Sequence, residues 1–223
     1  KKFGIEVLFL DDLTLTIKGN QKYIATDYKV EGDFSQLGFF AVLGAINNDL
    51  TCEGLDINSK QGDREIIKIL KNCGIKIEEI ENGYKIFRGL PKAYNINLEN
   101  CPDLGPILTV LSAYGDGEFK IYNAQRLRYK ESDRIEAMEN ELKKLGVQIS
   151  SDESNIYIKG NSKYISCNEV FGHKDHRIVM SLAIFATLLD SPLIIEGAEA
   201  ISKSYPNFFE DLKNLNIKIE ITD

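Results

Sequence analysis

Residues 125–149 read QRLRYKESDRIEAMENELKKLGVQI, and the second half of this stretch decides the fold. Ile135, Met138, Leu142 and Leu145 recur three or four residues apart, which predicts an amphipathic helix over 133–145 with one buried face. Asp133 and Glu136 have the D-x-x-E form of a capping box at its start. The closing LKKLG-VQI then recurs as LKNCG-IKI at 70–77 and as LKNLN-IKI at 212–219. Gly74, Gly146 and Asn216 share one position, and both residue types tolerate the positive φ of a helix C′ site.

On either side of these helix ends the surroundings repeat as well, at a period of about 70 residues. Each copy opens with an Asp before an apolar helix: Asp33 before FSQLGFFAVLGAI, Asp103 before LGPILTVLSAYG, Asp175 before HRIVMSLAIFATLL. A short strand and turn come next at 50–54, 119–123 and 193–197, and then a lysine in a loop, Lys60, Lys130 or Lys203, ahead of the second helix. The strand after that helix pairs with 84–88 in the first copy and 155–159 in the second, while the third runs out at Asp223. Each copy is thus βαβαββ, over about 31–90, 95–160 and 164–223. Such a period denotes a duplicated subdomain rather than a solenoid. The first helices are apolar nearly all round and must be buried on most sides. The expected class is α/β (α+β), with three buried helices inside and strands and amphipathic helices outside, an inside-out α/β barrel. Residues 1–30 stand apart, with an alternating strand at 13–18, a Gly19-Asn20 turn and an extended run at 28–31.

Composition narrows the function classes. The chain has 223 residues, 43% of them hydrophobic and 27% charged, enough to bury a core. A formal net charge of −7 excludes nucleic-acid binding by bulk charge, so any basic cluster is a local feature. The longest apolar runs are too short and interrupted to span a bilayer, and no signal peptide opens the chain. Cys52, Cys73, Cys101 and Cys167 form no C-x-x-C pair and read as reduced thiols of a cytosolic protein. His173 and His176 have no cysteine pair at ligand spacing to complete a zinc site. The opening KKFGIEV lacks an initiator Met, and a fragment is the expectation.

Positions where the copies differ point to the site. Before the second helix, the first copy has Lys60-Gln-Gly-Asp63 and the third has Lys203-Ser-Tyr-Pro206. The second crowds Arg126, Arg128, Lys130 and Arg134 around Glu131. Arg177 in the third copy, like Arg134, sits in a first helical turn, where a cation is unfavourable unless an anion lies beyond it. The competing readings are bland: Arg126 and Arg128 as a solvated face, Lys130 with Glu131 as a surface pair, and Asp33, Asp103 and Asp175 as N-caps. His176 fits packing or capping. Spacing alone supports a site for an anionic small molecule built from two neighbouring copies.

Four separated blocks carry a resemblance over essentially the whole chain: Leu127-Arg-Tyr-Lys-Glu-Ser-Asp-Arg134, Cys101-Pro-Asp-Leu-Gly-Pro106, Asp175-His-Arg-Ile178 and Ser202-Lys-Ser-Tyr-Pro206. Val30-Glu-Gly-Asp33 and Gln61-Gly-Asp63 add weaker matches in order. The chain resembles the C-terminal lobe of the 3-phosphoshikimate 1-carboxyvinyltransferase (EPSP synthase) family. Residues 31–223 match that lobe, and residues 1–30 match the tail of the N-terminal lobe and the crossover. The resemblance implies transfer of the enolpyruvyl group of phosphoenolpyruvate to the 5-hydroxyl of shikimate 3-phosphate, with release of phosphate and no metal or organic cofactor. It implies Asp103 as base and Glu131 as acid. Asp103, Lys130 and Arg126 would contact shikimate 3-phosphate, and Arg134, Arg177 and Lys203 phosphoenolpyruvate. Arg126 falls where some members have an asparagine. His176 would support Arg177.

The same resemblance implies a cytoplasmic enzyme of aromatic amino acid biosynthesis, monomeric when whole, with no nucleic-acid or membrane partner. Its missing partner is the N-terminal lobe, so the chain alone is expected to be inactive. Two alternatives share the architecture. UDP-N-acetylglucosamine 1-carboxyvinyltransferase shares the reaction, but the K-E-S-D-R block favours the shikimate enzyme. The other is a non-catalytic phosphate- or RNA-binding module, since similar units occur in RNA 3′-terminal phosphate cyclases; the acidic charge and the absence of an aromatic-rich basic strand argue against RNA.

Overall fold

The computed structural model describes residues 2–165, 167 and 169–222. Lys1 and Asp223, the ends of the two segments expected from sequence, lie outside the described residues. The chain divides into two units, Lys1–Glu31 and Gly32–Asp223. In the first, β1 (Val7–Phe9) and β2 (Leu15–Ile17) form an antiparallel hairpin with Val7 opposite Ile17. The alternating run at 13–18 is therefore a strand for three residues only. Residues 28–31, expected to be extended, belong to no strand.

The second unit begins with α1 (Phe34–Ile46), whose start is fixed by Asp33 accepting the Ser35 N–H at 2.7 Å. It leads to β3 (Leu50–Glu53), α2 (Glu65–Asn72), β4 (Ile77–Ile80) and β5 (Gly83–Ile86), with antiparallel strand order β3-β5-β4. Next come β6 (Asn95–Asn97), α3 (Gly105–Tyr114), β7 (Glu118–Tyr122), α4 (Arg134–Lys144), β8 (Gln148–Ser151) and β9 (Ile156–Lys159). Their sheet runs β6-β7-β9-β8, with β6 parallel to β7. Last, β10 (Glu169–Phe171) pairs in parallel with β11 (Ile194–Glu196), separated in the chain by α5 (His176–Ala186), and the chain then enters α6 (Phe208–Asn214).

The helix ends behave as their residue types require: φ is +83° at Gly74, +83° at Gly146 and +63° at Asn216. Beyond these stops the three copies diverge. Strands continue the chain after α2 and α4, each with a hairpin partner. The matching IKI run at 217–219 forms no strand, because among the described residues it has no hairpin partner to supply a ladder.

The core explains the two kinds of helix. α1, α3 and α5 pack on one another and are buried on nearly every side. α4 buries Ile135, Met138 and Leu142, with Leu145 just past its end, as the spacing predicted. Each such side chain contributes roughly 1.5–3 kcal/mol through burial. α2 buries Ile66, Ile67, Ile69 and Leu70, and α6 buries Phe208 and Leu212. The result is a mixed α/β fold in which the starts of α1, α3, α4 and α5 are tied together by side-chain bonds.

Candidate active site

Arg134, the first residue of α4, is the centre of a charge cluster and is almost wholly buried. Its Nε and Nη2 donate to the two carboxylate oxygens of Asp175, at 2.8 and 3.2 Å. Nη1 donates to Asp103 at 2.9 Å and Nη2 to Glu131 at 2.7 Å. A cation in a first helical turn is unfavourable, and a buried unpaired one far more so. Three carboxylates offset both costs. Asp175 is itself fully buried, caps α5 by accepting the Arg177 N–H at 2.9 Å, and accepts from Ser132 at 3.0 Å.

Asp103 sits in the single 3₁₀ turn Pro102–Leu104 that leads into α3. Lys130 lies 2.9 Å from its carboxylate, and Arg177 lies 3.6 Å from it while donating to the Asp103 carbonyl at 3.3 Å. Arg177 also donates to Ser35, in the first turn of α1, at 3.1 Å. Burial pushes the Asp103 carboxyl up, but Arg177, Lys130 and Arg134 outweigh it and hold it below the usual carboxylate range. Asp63, in the 3₁₀ turn Gly62–Arg64, goes the other way. Burial and the negative charge of Asp103 push it up to about 6, against the pull of Arg177 and Lys130.

Glu131 is shared between Arg134 and Lys203, whose Nζ lies 2.9 Å from Oε1. Burial raises its pKa, but the hydrogen bond from Lys203 and the nearby guanidinium of Arg134 hold it at about 2. Between those two cations it is a carboxylate. Lys203 comes from the 3₁₀ segment Ala198–Lys203, far along the chain, and stays more than half exposed.

Of the residues singled out in the sequence, Asp103, Lys130, Glu131, Arg134, Arg177 and Lys203 meet in this one cluster. Arg126 does not join it: the side chain is exposed and donates weakly to the Glu99 carbonyl at 3.4 Å. Arg128, expected beside Glu131, instead clamps the β8–β9 turn to the start of α4. It bonds the Asp152 and Glu153 carbonyls and lies 2.7 Å from Asp133. Its spacing in the sequence could not reveal that turn. Asp33 and Asp175 are N-caps, whereas Asp103 caps nothing and faces cations. Asp133 caps α4 through the N–H groups of Ile135 and Glu136.

His176 is buried beside Arg177, and burial followed by that charge lowers its pKa, favouring the neutral ring. Its Nδ1 has no hydrogen-bond partner among the described residues. Ser35, Ser132 and Asp63 are members of the site that sequence reasoning missed. Ser132 and Asp63 stood inside quoted motif blocks, whereas nothing marked Ser35. A concavity of about 610 Å³ between α1, β3 and α6 includes none of the six cluster residues.

Comparison with known proteins bears on this geometry. Residues 1–212 match the family model described as EPSP synthase (3-phosphoshikimate 1-carboxyvinyltransferase). The chain is 43% identical over 219 residues to the 3-phosphoshikimate 1-carboxyvinyltransferase of Clostridium kluyveri, covering 98% of this chain and 51% of that one. It is 45% identical over 215 residues to the protein of the same name from Clostridium acetobutylicum, covering 96% and 50%. It superposes on a solved EPSP synthase from Acinetobacter baumannii with a TM-score of 0.87 at 28% identity, covering 100% of this chain and 54% of that one. The chain thus spans about half the length of the curated relatives it matches.

Proposed function

Because this chain belongs to the 3-phosphoshikimate 1-carboxyvinyltransferase (EPSP synthase) family, we propose that it carries half of a site for enolpyruvyl transfer. Phosphoenolpyruvate donates the group to the 5-hydroxyl of shikimate 3-phosphate, giving 5-enolpyruvylshikimate 3-phosphate and phosphate. The reaction belongs to aromatic amino acid biosynthesis in the cytoplasm and uses no metal or organic cofactor. The observation that carries the reading is the interlocking of Lys130, Arg134, Arg177 and Lys203 with Asp103, Glu131 and Asp175. Phosphoenolpyruvate brings a phosphate and a carboxylate, and fixed cations suit both.

The geometry suggests how substrates start the chemistry. Arg134, Arg177 and Lys203 bind phosphoenolpyruvate; Lys130, with Arg126 at the rim, binds shikimate 3-phosphate beside Asp103. Transfer needs a base for the 5-hydroxyl and an acid for the methylene carbon, the roles of Asp103 and Glu131. Within the cluster both carboxyls are held low by the cations they pair with. A substrate anion that takes Lys203 from Glu131 removes the hydrogen bond that most depresses its pKa, and the new negative charge raises it further. Lys130 moving to a substrate phosphate does the same for Asp103. The acid and base thus become competent only in the loaded site.

The same reading takes 31–90, 95–160 and 164–223 as three copies of one βαβαββ unit, which among the described residues is complete in the second, lacks its opening strand in the first and lacks its closing strands in the third. α1, α3 and α5 are the inner helices of an inside-out α/β barrel lobe, and residues 1–30 are the tail of the other lobe and the crossover. The mutual burial of those helices and the shared positive φ at 74, 146 and 216 support it. The remaining substrate contacts come from the other lobe, whose closure excludes water. The whole enzyme works as a monomer with no nucleic-acid or membrane partner.

The test measures phosphate release from phosphoenolpyruvate, dependent on shikimate 3-phosphate, by this chain with and without the other half of its protein. Turnover is expected only from the pair, and Glu131→Gln should abolish it while both substrates still bind. Turnover by the chain alone, or near-normal turnover by the Glu131→Gln variant, would overturn the reading.

A further inference from the structure

We infer that Glu141 is a positioning residue for the candidate site: from two turns along α4 it holds the strap 171–174 so that Asp175 and Arg177 begin α5 facing Arg134 and Asp103. The inference rests on the proposed function only for the identity of the anion.

Glu141 lies outside the cation cluster, yet its side chain is only 3% exposed. Oε2 accepts the Phe171 backbone N–H at 3.0 Å and pairs with Lys144 at 2.6 Å, while Oε1 faces His173 Nε2 at 2.9 Å. A counter-ion for half-exposed Lys144 would not need burial. A buried carboxylate is costly unless its lone pairs are met, and here the strap meets them.

The strap needs such a hold. His173 and Lys174 are consecutive residues in the left-handed region, at φ +53° and +55°, and neither is glycine. That conformation persists where surroundings over-determine it. On one side the constraint is β11: Gly172 donates to the Glu196 carbonyl at 2.8 Å. A Cβ at Gly172 would meet Val179 at 2.4 Å, so the strap lies flat on α5. On the other side it is Glu141. The turn closes with the Asp175 N–H donating to the Gly172 carbonyl at 2.9 Å.

Arg134 and Glu141 are seven residues apart, about two helical turns, and therefore share a face of α4. Arg134 grips Asp175 directly and Glu141 grips the residues just before it. One helix thus fixes both the cap of α5 and the approach to it. Release of the strap would let Asp175 leave Arg134 and Ser132, and Arg177 would turn with it.

The test uses the full chain with Glu141→Gln and Glu141→Ala, read by imidazole nitrogen NMR at a pH where the ring's own nitrogen shifts report it neutral, by amide exchange, and by titration with phosphoenolpyruvate in the presence of the other half of the protein. In the parent, His173 should carry its proton on Nε2 and donate to Glu141. In Glu141→Gln the amide carbonyl takes the Phe171 N–H and the amide NH₂ donates to Nε2. The His173 tautomer should therefore switch to Nδ1–H, with affinity within about twofold. In Glu141→Ala the amides of Phe171 and Arg177 should exchange about tenfold faster, with affinity down about tenfold and α1 and α3 amides unchanged.

Unaltered Arg177 exchange in the alanine variant, or an unaltered His173 tautomer in the glutamine variant, would overturn the inference. If the alanine variant does not fold, the glutamine tautomer decides. If the parent chain, supplied with the other half of its protein, binds no phosphoenolpyruvate, the functional reading is what fails, and exchange and tautomer still test the positioning role.

Discussion

Arg134 meets Asp175 side-on, Nε to Oδ2 at 2.8 Å and Nη2 to Oδ1 at 3.2 Å, with neither side chain open to solvent. This pair joins the first residue of α4 to the cap of α5. Two helix N-termini brought together repel through their positive dipole ends, and the aspartate between them is what allows the approach.

Removing one partner of a buried ion pair leaves the other uncompensated, at a cost of about 3–5 kcal/mol. Asp175→Ala should lose that much in urea denaturation. Asp175→Asn should lose less, because asparagine still caps α5. A loss under about 1 kcal/mol for alanine would show that the pair does not hold the helices.

Asp63 makes the chain less stable as pH rises. Its folded pKa, about 6, exceeds the ordinary 3.8, so between these values the folded state binds more protons than the unfolded one. Stability therefore falls with rising pH through that window. Asp63→Asn should stabilise the chain at neutral pH by on the order of 1–3 kcal/mol and change little below the ordinary pKa. Urea midpoints across the window check both.

Glu131 has the opposite sign. Its folded pKa, about 2, lies below the ordinary 4.5, so its contribution is fully present above 4.5 and is lost as pH falls towards 2. Glu131→Gln should flatten the acid limb of the stability profile in that range and leave the neutral limb alone. The effect is on the order of 1–2 kcal/mol, since the carboxyl is partly solvated.

Arg128 and Lys203 separate scaffold from site. Arg128→Ala should cost about 1–2 kcal/mol by freeing the β8–β9 turn, with no change in phosphoenolpyruvate affinity. Lys203→Met should leave the thermal midpoint nearly unchanged, because exposed pairs contribute under about 1 kcal/mol. Affinity for phosphoenolpyruvate should fall about tenfold in the reconstituted protein. The reverse pattern would exchange the two roles.

Much of the scaffold was legible because it is local. The spacing of Ile135, Met138, Leu142 and Leu145 gives the buried face of α4, and the residue types at 74, 146 and 216 give the helix stops. Strand formation is not local: the IKI run at 217–219 has the sequence of its two counterparts but no partner beside it among the described residues. Arg128 shows the same limit for charges. It stands two residues before Lys130, yet it points to the turn at Asp152 and Glu153, a contact across 25 residues that no spacing encodes.

Which residues could matter was already written in the order of the chain, since cations at helix starts demand an anion and the motif blocks name them. What answers that demand within the chain came from packing: Asp103, Glu131 and Asp175, drawn from three separate segments. Helical periodicity and caps are set within a few residues, so a sequence can be read for them directly. Whether a buried guanidinium faces a ligand or a neighbouring carboxylate depends on which distant elements pack together, and burial fixes that only once the core has formed.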